Sequence, residues 1–125
     1  MNTRQLLIKY YKGLAVKKGW EDTISDDFKF VGGDMTRPQA AIGRKSYIEI
    51  ISRFSILFTS MRVIEMIIRN DKAFVLANYD YLFPDGFKIN GNVAEYWMIR
   101  GGKLNQLTIF FDTLNFQAHT QQQSI

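Results

Sequence analysis

Apolar residues recur at helical spacing in two stretches of the chain. Leu7, Tyr10, Tyr11 and Leu14 lie three or four positions apart, so they share one face of a helix predicted over 3–18. Thr3 is its expected N-cap and Gly19 its C-cap. Tyr47, Ile50, Ile51 and Phe54 repeat that spacing over 44–54. Between the two, 20–25 reads as a short helix, and 28–31 alternates as a short strand that stops at Gly32-Gly33 before a loop through Pro38. Beyond residue 60 the period falls to two. Strands are predicted over 61–69, 72–83, 87–99 and 103–113, punctuated by Asn70-Asp71, Pro84-Asp85-Gly86 and Gly101-Gly102. Helices first and long antiparallel strands after them define the α+β class, a curved sheet with one face covered by the N-terminal helices. With no repeat or linker in the pattern, 1–116 is expected to form a single domain and 117–125 a disordered tail.

The last hairpin carries the candidate chemistry. A two-residue Gly-Gly loop sets Ile99 opposite Leu104, which places Trp97 opposite Gln106, Glu95 opposite Thr108 and Val93 opposite Phe110. In that register Glu95, Gln106, Thr108, Phe110 and Asp112 share one face, as the wall of a pocket would. A carboxyl among Ala94, Tyr96 and Trp97 is expected to have a raised pKa and to be neutral near pH 7, acting as a donor or general acid. Asp112 stands roughly 13 Å from Glu95 at about 3.3 Å per residue, so the two line different levels of a cavity and share no proton. The neighbouring strand has two settings. A three-residue Pro84-Asp85-Gly86 loop turns Tyr79 and Tyr81 toward Glu95, and a four-residue loop turns Asn78 and Asp80 there instead.

Composition narrows the chemistry. There is no cysteine, which removes thiolate catalysis, disulfides and zinc–sulfur sites. The one histidine, His119, falls in the Gln-rich tail, so Asp, Glu, Tyr and Lys are left as acid–base groups. No cofactor is called for, and the carboxylates are too dispersed to suggest a metal site. A net charge of +4 is spread over helix faces without interleaved aromatics, so a nucleic-acid partner is not expected. The N-terminal apolar run is too short for a signal sequence and no stretch suits a membrane span; a cytoplasmic protein is the expectation.

Several stretches, taken together, resemble the nuclear transport factor 2-like superfamily, and in particular its SnoaL-like branch, to which polyketide cyclases belong. They are Tyr10-Tyr11-Lys12-Gly13-Leu14-Ala15 with Gly19-Trp20, Ser25-Asp26-Asp27-Phe28, Gly43 through Tyr47, and Glu95-Tyr96-Trp97-Met98-Ile99-Arg100-Gly101-Gly102-Lys103 with Phe110-Phe111-Asp112. Ketosteroid isomerases and limonene-epoxide hydrolases are relatives of that branch. The resemblance implies a conical α+β barrel around an apolar pocket, often dimerised through the outer face of the sheet. It also implies roles. Asp112 matches an aspartate with acid–base duties in cyclases and epoxide hydrolases, and Glu95 matches the aspartate that ketosteroid isomerases keep protonated in an oxyanion hole. Tyr11, or Tyr10 by helix register, falls near the isomerase's oxyanion tyrosine. Asn78 falls at the hydrolase's second aspartate, so the resemblance favours the setting with Asn78 and Asp80 inward and Tyr79 and Tyr81 outward. Gly32 stands where the isomerase has its base and Leu76 where the hydrolase has an arginine, so neither activity carries over intact.

The expectation is therefore a small-molecule-binding protein. Asp112 and Glu95 are its candidate catalytic acids, and Tyr10, Tyr11, Asn78, Asp80, Trp97, Thr108 and Phe110 line its pocket. The guest would be a small apolar molecule bearing a carbonyl, hydroxyl or epoxide, and the reaction cyclisation, isomerisation, dehydration or epoxide hydrolysis. Asp34, after Gly32-Gly33, is a lesser candidate for a lid residue or base. The competing reading is a non-catalytic ligand-binding or protein-association module on the same fold.

Overall fold

The computed structural model describes residues 1–32 and 40–120. The cap of the first helix, α1 (Thr3–Ala15), lies one residue earlier than predicted. Asn2 is the N-cap, its side chain accepting from the Gln5 amide at 2.9 Å while the Gln5 side chain accepts from the Asn2 amide at 3.0 Å. The helix ends at Ala15, and Lys17 takes the left-handed conformation with φ 65°. The predicted short helix shrinks to one 3₁₀ turn at Glu21–Thr23, because β1 (Ile24–Val31) already begins at Ile24. A two-residue strand, β2 (Ala41–Ile42), and helix α2 (Arg44–Ser55) follow.

Four long strands make most of the sheet: β3 (Phe58–Arg69), β4 (Lys72–Leu82), β5 (Lys88–Arg100) and β6 (Lys103–Phe110). Their order is β2-β1-β6-β5-β4-β3, with every pairing antiparallel except β1 against β6, which is parallel. Helices α1 and α2 cover the concave face. The stripe read from the sequence is buried there: Leu7, Tyr10, Tyr11 and Leu14 from α1, with Tyr47 and Ile51 from α2. Sheet residues Phe28, Val75, Ala77, Tyr79, Val93, Trp97, Leu104 and Leu107 complete that core.

Two local irregularities set which side chains meet. Gly101 and Gly102 both have positive φ, 60° and 75°, so the hairpin closes in two residues and Ile99 pairs with Leu104 as predicted. One residue later the ladder slips. Met98 pairs with Gln106, so Asn105 is an extra residue and a β-bulge. Because strand side chains alternate, this single insertion exchanges the two faces for everything beyond it. Glu95 now pairs with Ile109, and Gln106, Thr108 and Phe110 pair with Met98, Tyr96 and Ala94 on the outer face.

At the other hairpin the Phe83 amide donates to the Phe87 carbonyl at 2.9 Å, which is the three-residue Pro84-Asp85-Gly86 loop. Tyr79 and Tyr81 are accordingly buried on the concave side, in line with Glu95. The last segment, expected as a tail from 117, is helical as α3 (Thr113–Thr120). Phe116 packs it against the rings of Phe54, Tyr81, Phe83 and Phe111. His119 lies flat on Phe87, ring centres 3.9 Å apart, and its Nδ1 meets the Asp85 carboxylate at 2.6 Å.

Candidate functional site

Glu95 is the one carboxylate buried among the described residues, 6% exposed at the middle of β5. Its placement follows from strand period: Val93, Glu95 and Trp97 alternate inward, and no register that buries Trp97 turns Glu95 out. Tyr11 reaches down from α1 and donates to Glu95 Oε1. Tyr79 reaches across from β4 and donates to Oε2 at 3.0 Å. The Trp97 indole N–H donates to the Tyr11 hydroxyl at 2.9 Å. Beside this cluster the Tyr10 and Tyr47 hydroxyls share a 2.6 Å hydrogen bond. Among the described residues no buried side-chain polar atom is left without a partner.

Burial raises the Glu95 carboxyl to about 7, against the opposing pull of the hydrogen bonds from Tyr11 and Tyr79. The surrounding phenols are raised as well, chiefly by burial. For Tyr11 and Tyr79 the Glu95 charge adds to it, and for Tyr10 the facing Tyr47 hydroxyl comes before Glu95. The tyrosines are therefore hydrogen-bond donors at neutral pH, and Glu95 alone changes protonation there. Aromatic rings pack around it: Trp97 touches Tyr10, Tyr11 and Phe28, and Tyr79 touches Phe54, Phe58 and Tyr81.

The other predicted site residues divide. Tyr10, Tyr11 and Trp97 are at the centre, though Tyr10 bonds to Tyr47 and makes no hydrogen bond to Glu95. Asn78 and Asp80 are not in the interior. They lie on the outer face in a network with Arg62, Ser60, Asn90 and Asn92, because the three-residue loop fixes the opposite parity from the one the resemblance favours. Hydrogen bonds from Ser60, Asn90 and Arg62 hold the Asp80 carboxyl at about 2, so it is an anion at every physiological pH. Thr108 and Phe110 are also on the outer face, turned there by the Asn105 bulge.

Asp112 is past the end of β6 and exposed. Its carbonyl accepts the first helical bond of α3, from the Phe116 amide at 3.2 Å, so it occupies the helix start and not the strand face. Asp34 lies outside the described residues. Tyr79 and Tyr47 are the members of the cluster that the site prediction omitted. The loop length of Pro84-Asp85-Gly86 was the available signal for Tyr79, and the helical stripe placed Tyr47 inward without naming its phenol partner.

Elsewhere an open groove of about 560 Å³ is lined by Asp22, Asp26, Asp27, Arg44, Arg100 and Lys103 among others. It forms where β1 bows away from β6 between Ile24 and Lys29, and Asn105 bridges the gap to Ser25 and Asp27, 3.0 Å from each. None of the predicted site residues lines it. Among the described residues there is no cluster of metal-ligating side chains, and no helix is long and apolar enough to cross a membrane.

No protein-family model matches the chain, and no curated protein matches it. Solved structures do. A nuclear transport factor 2-like protein of unknown function from Burkholderia pseudomallei superposes with a TM-score of 0.81 at 16% identity, covering 95% of this chain and 97% of that one. TerC, co-crystallised with polyporic acid, gives 0.79 at 18% identity over 94% and 97%. A candidate SnoaL-like polyketide cyclase from Jannaschia gives 0.79 at 15% identity over 93% and 89%. The chain therefore has the nuclear transport factor 2-like fold, as its sequence motifs implied. Identities this low speak to the fold and leave function to the site.

Proposed function

We propose that the protein binds a small apolar molecule carrying a carbonyl or hydroxyl group against the Glu95 cluster, with Glu95 as its acid–base group. The observation that carries this reading is a single buried carboxyl held by two tyrosine donors within an otherwise aromatic cluster, where burial raises its pKa to about 7. A group poised near pH 7 both gives and takes a proton readily, which is what enolisation beside a carbonyl requires. Isomerisation, cyclisation and dehydration use one such shuttle. Epoxide hydrolysis draws less support, because Asp112 and Asp80, the further acids it would need for activating water, lie away from Glu95. The fold of TerC, crystallised with polyporic acid, is in keeping with a guest of this size class.

The outer face supports a second part of the proposal, association of two copies through the sheet. Phe74 stacks on Tyr96 at 4.8 Å yet is 49% exposed, and Ile67 and Phe110 are exposed on the same sheet at 61% and 53%. An apolar surface of that kind on an antiparallel sheet is suited to a partner.

The test of the small-molecule reading is a saturation-transfer NMR screen of apolar aromatic ketones and phenols. Saturable binding that moves the Glu95, Tyr11 and Tyr79 side-chain resonances is expected. Absence of any binder, or perturbations confined to the surface, would remove the reading.

A further inference from the structure

A strand that parts from its neighbour leaves the polar groups of both edges to other partners, and β1 parts from β6 over four residues. Ile24 pairs with Leu104 and Lys29 with Gln106, so Ser25 through Phe28 stand against Asn105 alone. The break opens the groove of about 560 Å³, and no member of the Glu95 cluster lines it. Its carboxylates come from β1 and the 3₁₀ turn before it: Asp22, Asp26 and Asp27. Its cations come from elsewhere in the fold. Arg44 opens α2, Arg100 ends β5 and Lys103 starts β6.

Opposite charges lining one space attract each other, and they pair unless something holds them apart. Here neutral groups hold them. Lys103 Nζ donates to the Asp22 carbonyl, and Arg44 Nε donates to the Glu21 carbonyl at 3.0 Å. Asp27 Oδ1 accepts from the Asn105 side-chain amide at 3.0 Å. The Asp22 carboxylate is neutralised from outside the groove, by Lys9 at 2.8 Å. Among the described residues, Asp26, Asp27, Arg44, Arg100 and Lys103 make no ion pair. Three cations and two carboxylates therefore face one groove without cancelling one another, and the excess is one positive charge. The complement is a small molecule of both signs with one more oxyanion than ammonium. Guanidinium forks take carboxylates through paired, charge-assisted hydrogen bonds, and an ammonium donates to carboxylates.

We propose that this groove binds a small zwitterion with two carboxylates and one ammonium, the chemistry of an acidic amino acid. Arg44, Arg100 and Lys103 take its oxyanions, and Asp26 and Asp27 take its ammonium. The site is separate from the Glu95 cluster and stands independently of the reading given for that cluster. Selectivity falls to the aspartates. A dicarboxylate without the ammonium meets the same cations and also two like charges, so it binds less tightly.

The experiment is a titration of the full-length protein at pH 7 and low salt, followed through backbone amide NMR resonances. The ligands are L-glutamate, glutarate (the same two carboxylates without the ammonium) and n-butylamine (the ammonium alone). L-glutamate is expected to shift the amides of Ser25, Asp26, Asp27, Gly101 and Lys103 saturably and to leave those of Tyr79 and Glu95 unmoved. Glutarate is expected to bind about fivefold more weakly, the size of an exposed charge pair, and n-butylamine more weakly still. Asp26 and Arg100 are exposed and in no ion pair, so their substitution leaves the core intact. Asp26→Asn is expected to weaken L-glutamate and strengthen glutarate, bringing the two within about twofold, whereas Arg100→Gln weakens both. Equal binding of L-glutamate and glutarate by the wild type overturns the proposal. So do a change shared by both ligands in Asp26→Asn, shifts centred outside the groove, and the absence of saturable L-glutamate binding.

Discussion

Glu95 owes its character to competition between two effects at a single residue. Desolvation disfavours the charged carboxylate, while the Tyr11 and Tyr79 hydrogen bonds favour it, and burial wins by enough to bring the group to about 7. Removing either donor removes only the opposing effect. Tyr11→Phe is therefore expected to move the Glu95 midpoint further up, read by carbon-detected NMR of the side-chain carboxyl across pH 5 to 9. A wild-type midpoint near the ordinary glutamate value of about 4.3 would mean that water reaches the carboxyl and that burial is not the controlling effect. A fall in the variant's midpoint would show that Tyr11 is not a donor to Oε1.

At the scale of strands and helices, the sheet's outer face is where a prediction separates the two surfaces of the same elements. Phe74 projects outward from β4 while its neighbours Ala73 and Val75 are core, so Phe74→Glu changes the surface and leaves the packing alone. The wild-type protein is expected to sediment as a dimer at tens of micromolar and the variant as a monomer of similar thermal stability. A monomeric wild type would leave the exposed rings without that partner. The same alternation explains what the sequence disclosed. Period and turn chemistry revealed both helical stripes, the four long strands and the Gly101-Gly102 turn, because each is set by neighbours close in the chain. Glu95, Tyr11 and Trp97 were legible for the same reason: Glu95 and Trp97 share a strand, and Tyr11 shares a helix stripe. Thr108 and Phe110 were misplaced by one inserted residue, Asn105, and Asp112 by the start of α3 beyond the end of the strand. The Asn105 bulge is stabilised by side chains of β1, some 80 positions earlier, bonds that hairpin rules do not contain. Asn78 and Asp80 were misplaced by weighting resemblance over loop length, and the Phe83–Phe87 hydrogen bond shows that loop length was the better guide.

For the molecule as a whole, the buried carboxyl makes stability depend on pH with a definite sign. The folded-state value of about 7 lies above the value of about 4.3 expected for an unfolded chain. The unfolded state thus releases this proton first as pH rises. Stability contributed by neutral Glu95 is complete below about pH 4, declines between there and about pH 7, and stays at its reduced level above. At 1.36 kcal/mol per pH unit the loss is about 4 kcal/mol, a large share of what holds a small domain together. The lowered carboxyls of Asp22, Asp80 and Asp85 act in the opposite sense, their contributions fading in acid, but they are exposed and screened by solvent. Comparing wild type with Glu95→Gln cancels those groups, since both proteins carry them. In urea unfolding the two should have similar midpoints at pH 4.5, and at pH 8 the variant should be the more stable. The tyrosine donors would then be serving a carboxylate whose ionisation the fold resists, an arrangement that stability alone does not favour. Equal pH dependence in the two proteins would mean that Glu95 ionises at no cost to the fold.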